Sequence, residues 1–80
     1  MNKSEMVEKI RNAVAKQLRQ PLANVTADKK LKDDLRADSL DVVELMMNLE
    51  EEYNITIADE DLTKMQTIND VADYIIKVMQ

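Results

Sequence analysis

The sequence predicts an all-α fold: a four-helix bundle with three longer helices, one short helix and a long first loop. Three observations predict it. Apolar residues recur at steps of three and four through most of the chain. Cap residues stand before the apolar runs at Asp38, Asp59 and Thr67. Pro21 closes the first run and opens a stretch with no clean period.

The first helix carries the stripe Val7, Ile10, Val14 and Leu18, flanked by Met6 and Ala13, and starts near residue 3, where Ser4 and Glu8 stand close to capping-box spacing. Residues 19–38 read as a long connection pinned to the core by Leu22, Val25, Leu31 and Leu35. A connection of that length in a compact domain is often functional. The second helix runs from about Ser39 to Tyr53 with Asp38 as N-cap, Asp41 in its first turn, and Asn54 suited to a left-handed C-terminal turn. Asp59 caps a short third helix over 59–65. Thr67 caps the last, whose stripe is Ile68, Val71, Ala72, Ile75, Ile76 and Met79. No repeat or linker interrupts residues 1–80, so the expectation is one domain.

Composition removes several function classes. The 80 residues include no Cys, no His and no Gly. That takes away disulfides, thiolate metal sites, the commonest general base and the glycine loop that cradles phosphate. Two tyrosines are the only aromatic residues available to wall a pocket, so an enzyme is not expected. The Asp38–Asp41 and Asp59–Asp61 carboxylates lack the glycine and the spacing of a calcium loop, which leaves weak surface binding and no metal site. No apolar run reaches the roughly 20 residues of a membrane span, and Met1 to Glu5 has no signal-peptide character. The expectation is a cytoplasmic monomer without membrane insertion.

Net charge is −5, unevenly spread. Residues 1–37 hold nine Lys/Arg and five Asp/Glu; residues 38–61 hold nine Asp/Glu and no base. Such an acidic block repels nucleic acid and steers basic proteins toward it.

The second helix has two apolar faces. At about 100° per residue with Leu40 at zero, Val42, Leu45, Met46, Leu49 and Tyr53 fall within about 140–240°, while Leu40, Val43 and Met47 fall between about 300° and 0°. A bundle helix buries one face. The second set, ringed by Glu44, Glu50 and Glu51, reads as a docking surface that methionine lets repack. Ordinary scattered exposure, or a covering helix, explains the same pattern, and the residues alone leave these open. Ser39 stands at the first helical position, where N–H groups lack partners and the dipole favours a phosphate, although Asp38 and Asp41 oppose one. By itself a serine there need only help start the helix.

The run Asp34-Leu35-Arg36-Ala37-Asp38-Ser39-Leu40-Asp41 resembles the phosphopantetheine attachment motif of bacterial acyl carrier proteins. The segments 42–53, 55–61 and 67–75 resemble the family's second helix, following loop and last helix, so the likeness covers essentially the whole chain. It implies that Ser39 accepts 4′-phosphopantetheine from coenzyme A through a separate phosphopantetheinyl transferase, and that the arm's thiol holds an acyl group. The sulfur then belongs to the cofactor, as a chain without cysteine requires. It implies that Asp38, Asp41, Glu44, Glu50 and Glu51 meet basic patches on fatty acid synthesis enzymes, with Leu40, Val43 and Met47 filling apolar depressions. It also implies an acyl cavity lined by Leu45, Met46, Leu49, Ile57, Leu62, Met65 and Ile75. Arg36 stands where the family usually has glycine, Ala58 where proline is common, and Asn54 and Asn69 where small residues are frequent. A specialised acyl-transfer pathway (polyketide or cell-envelope) and an unmodified helical adaptor are the alternatives to fatty acid synthesis.

Overall fold

A computed structural model describes residues 2–79; Met1 and Gln80, the ends of the expected domain, lie outside the described residues. Four α-helices follow in order: α1 (Lys3–Leu18), α2 (Ser39–Tyr53), α3 (Asp59–Leu62) and α4 (Ile68–Met79), with a 3-10 turn at Leu22–Asn24 in the long first connection. No helix among the described residues is long and apolar enough to cross a membrane.

Local chemistry sets the helix ends. Asn2, not Ser4, caps α1: its Oδ1 accepts the Glu5 N–H at 2.8 Å. Asp38 and Asp41 form a reciprocal capping box at the start of α2, at 2.8 and 3.1 Å. Thr67 and Asp70 do the same for α4, each bond 3.1 Å. Asn54 ends α2 in the left-handed region, φ 55 and ψ 49, as its side chain allows. Asn69 lies within α4 instead of at a turn, and its N–H donates to the Ala27 carbonyl.

The third helix departs from expectation. Ala58 occupies the cap position without a side-chain bond, Asp59 is the first helical residue, and the helix ends at Leu62. The chain then tightens, with Lys64 and Met65 N–H donating to the Asp61 and Leu62 carbonyls three residues back. This tighter turn carries Met65 into the core, where it is buried. Ala58, at φ −68 and ψ 141, has the backbone a proline would impose.

The core gathers Met6, Ile10 and Val14 of α1, Leu45, Met46 and Leu49 of α2, and Ile68, Val71 and Ile75 of α4. The stripe of α1 is thus centred on Met6, with Val7 and Leu18 at its margin. α1 packs on both α2 and α4, most extensively on α4. Val25, Leu31 and Leu35 pin the long connection as expected, whereas Leu22 is exposed. Leu22 contributes its carbonyl: Arg11 Nη2 donates to it at 3.0 Å, and Arg11 Nε donates to the Val25 carbonyl at 2.6 Å. Gln20 holds the Leu35 carbonyl at 2.9 Å. The Leu31 N–H donates to Gln66 at 2.8 Å, beside an isolated bridge between Lys30 and Thr67. The connection is therefore fastened at both ends of the bundle by long-range polar contacts.

Arg36 adopts φ 61, in the left-handed region that costs a side chain with a Cβ about 1–2 kcal/mol. Arg36→Gly is expected to stabilise the fold by about 1 kcal/mol and raise Tm by roughly 4–8 °C, with Arg36→Ala giving no such gain. Thermal melts of the two variants check this; an equal rise in both would locate the effect in the arginine side chain and not in its backbone.

Candidate functional site

The start of α2 is where sequence and structure converge. Ser39 is the first residue of the helix and is exposed. The capping box occupies the Asp38 and Asp41 carboxylates and satisfies the Asp38 and Asp41 N–H groups. Ser39 and Leu40 are then the two first-turn positions whose N–H groups have neither a helical partner nor the box. The Gln17 side chain also donates to the Asp41 carbonyl at 2.7 Å, tying this turn to α1.

Beside Ser39 opens a cleft of about 480 Å³. One wall is α2 at Ser39, Val42 and Val43, residues that share a helix face at steps of three and four. The other walls come from the connection at 30–33 and from residues 62, 63, 65 and 66, after and within the last turn of α3. Leu31, Val42, Leu62 and Met65 give it an apolar lining; Lys30, Lys32 and Asp33 put charge at it. Sequence reasoning missed Lys30, Leu31, Lys32 and Val42 here: Lys30 and Leu31 pair with Thr67 and Gln66, far along the chain, and Val42, one turn from Ser39, reads as core stripe alone.

Of the residues expected to form an acyl cavity, Leu62 and Met65 line this cleft. Leu45, Met46, Leu49, Ile57 and Ile75 do not; they are buried members of the hydrophobic core. The reason is position along the helix: Val42 shares the core stripe with Leu45 and Leu49 but lies within one turn of Ser39, at the cleft, whereas Leu45 and Leu49 follow one and two turns later.

The second apolar face of α2 is exposed. Leu40, Val43 and Met47 are 65%, 42% and 59% exposed, and no neighbouring helix covers them among the described residues. Glu44 and Glu51 are exposed beside them. Glu50 is different: it is half-buried, and its Oε2 accepts the Ile57 N–H at 2.7 Å, bracing the turn that follows α2. Tyr74 braces the far side of α3, its hydroxyl donating to Asp61 at 2.9 Å. Desolvation, and then that hydrogen bond, raise the Tyr74 hydroxyl above its ordinary pKa.

A long flexible arm on Ser39 fits this arrangement. Its anchor is exposed, and an apolar groove begins at the anchor. The family model described as "Phosphopantetheine attachment site" matches residues 8–75. The chain belongs to the acyl carrier protein family. An acyl carrier protein from an Exiguobacterium species is 45% identical over 75 residues, covering 94% of this chain and 95% of its own. One from Thermosynechococcus vestitus is 47% identical over 75 residues, covering 94% and 93%. The solved acyl carrier protein of Enterococcus faecalis, described for its high thermal stability, superposes with a TM-score of 0.80 at 33% identity, covering 98% of this chain and 99% of its own. As an acyl carrier, the protein is not an enzyme; its cofactor is phosphopantetheine, and it works with a transferase and with synthesis enzymes.

Proposed function

We propose that the protein carries the acyl intermediates of fatty acid biosynthesis as thioesters on a 4′-phosphopantetheine arm attached at Ser39. The observation that carries this is an exposed serine, first in α2 within Asp38-Ser39-Leu40, with a groove opening beside it. In the loading step the Ser39 Oγ bonds to the phosphorus that bears the pantetheine in coenzyme A. The pyrophosphate bond breaks, adenosine bisphosphate leaves, and the hydroxyl proton passes to a base on the phosphopantetheinyl transferase.

Residues 1–80 act as one monomeric carrier domain in the cytoplasm. Leu40, Val43 and Met47 are the apolar part of the docking face, and Asp38, Asp41, Glu44, Glu50 and Glu51 its acidic part. Glu44 and Glu51, free of internal bonds in their helix, contribute more than Glu50, which also holds Ile57. An acyl chain entering between α2 and α3 meets Leu62 and Met65 first, with Leu45, Met46, Leu49, Ile57 and Ile75 behind them as core that opens. Each methylene buried there contributes about 0.8 kcal/mol.

The acid-rich Glu50-Glu51-Glu52 and the near full-length likeness to acyl carrier proteins favour the fatty acid pathway. Arg36 and the basic first half support a specialised acyl-transfer pathway as the second reading. Intact-mass spectrometry after incubation with coenzyme A and a promiscuous transferase tests the carrier role: a gain of one phosphopantetheine is expected. Acceptance of the loaded protein by a fatty acid malonyl transferase then separates the pathways; refusal points to the specialised one.

A further inference from the structure

Two lysines line the cleft that opens at Ser39, a placement nothing in the helix pattern required. Lys30 and Lys32 lie on one wall and Ser39 on another. Both lysines are exposed, and among the described residues neither forms an ion pair. The backbone beneath them is fixed. The Lys30 N–H donates to Asp34 Oδ2 at 2.8 Å, Lys30 bridges to Thr67, and the Leu31 N–H between them donates to Gln66. The lysines thus rise from a fixed backbone on the cleft wall, and their flexible stems leave the ammonium groups free to meet a group on the serine. Asp33 is the third charged residue of the cleft, so the charge lining it is net positive, although the chain's net charge is −5.

Resting on the attachment at Ser39, we infer that Lys30 and Lys32 form a phosphate clamp: they pair with the phosphodiester that joins the arm to the serine and so lay the arm into the cleft. A bare phosphodiester on Ser39 would otherwise stand against Asp38 and Asp41, which share its turn. Two cations across the cleft offset that repulsion and bias the arm toward the groove between α2 and residues 62–66, away from the docking face of Leu40 and Met47. Lys29 is the internal contrast. It is adjacent in sequence and also exposed, but it does not line the cleft.

The test uses the full chain before and after loading by coenzyme A and transferase, with loading checked by intact mass. The arm's thiol is first capped as its neutral carboxamidomethyl thioether, because a free thiol ionises below the lysine range; the capped arm adds no charge other than its phosphodiester, so any response of a lysine reports that group and not a charged cargo. Lysine Cε carbon signals are followed by NMR against pH in both forms. Loading is expected to raise the pKa of Lys30 and Lys32 by about 0.3 unit or more, and that of Lys29 by clearly less. In the loaded Lys30→Gln/Lys32→Gln variant, amide shift changes at Leu62, Thr63 and Met65 on loading are expected to shrink, while Lys29→Gln keeps them. A verified mass gain with no lysine shift, or with equal shifts at all three, overturns the clamp and leaves the carrier reading standing. No mass gain overturns both.

Discussion

Ser39→Ala is expected to abolish the gain of phosphopantetheine completely while leaving the fold nearly untouched. The all-or-none effect follows from chemistry: the linkage is a phosphate ester, the chain has no cysteine, and alanine has no nucleophile. The small structural cost follows from position. Ser39 is exposed at the first helical residue, and the capping of α2 is done by Asp38 and Asp41. A surface change away from caps and core usually stays within about 0.5 kcal/mol, so Tm should move by only a few degrees. Intact mass with and without coenzyme A, together with a thermal melt, gives both halves of the result. A variant that still gains the group would move the attachment to another hydroxyl. A variant that melts far below the parent would mean the serine supports the helix start more than its exposure indicates.

The parts legible in the sequence were those written locally. The capping residues of α2 and α4, the left-handed Asn54 and the two-faced pattern of α2 all depend on neighbours within a turn or two, and the structure contains each of them. The long connection was legible only as apolar anchors. Its real fastenings, Arg11 to Leu22 and Val25, Gln20 to Leu35, and Leu31 to Gln66, join segments whose relation no periodicity encodes. The third helix ends at Leu62, short of the expected 59–65, because a tighter turn takes over there and still delivers Met65 to the core. The site divides the same way. Ser39 stood out through its family resemblance, not through its physics, since a serine at a helix start is commonplace. The cleft beside it was invisible, because its walls come from positions 30–33, 39–43 and 62–66. Arg36 shows the converse. Its sequence position flagged a missing glycine, and the backbone there has kept the left-handed turn regardless.

Glu44→Lys combined with Met47→Ala is expected to weaken binding to the phosphopantetheinyl transferase by about 100-fold with little change in Tm. Met47 is 59% exposed beside Leu40 and Val43, so truncating it removes apolar contact area from the complex and almost none from the core. An anchor of this kind is worth on the order of 1–2 kcal/mol, about tenfold or more in Kd. Glu44 is exposed and lies next to that anchor, so reversing its charge replaces attraction for a basic patch by repulsion and slows association. The two effects separate experimentally: the charge reversal should flatten the dependence of the association rate on salt, and the truncation should act on dissociation. Glu52→Lys supplies the control, because Glu52 is equally exposed but turned about 120° from Leu40, off the docking face. Calorimetry or surface binding across a salt series would measure all three. If Glu52→Lys weakened binding as much as Glu44→Lys, general acidity would be steering partners and α2 would have no privileged face. If the double variant lost stability in step with affinity, Leu40, Val43 and Met47 would be packing the bundle. On the proposed docking face, the exposed Glu44 and Glu51, set against the internal bond that holds Glu50, put the expected contact around Met47.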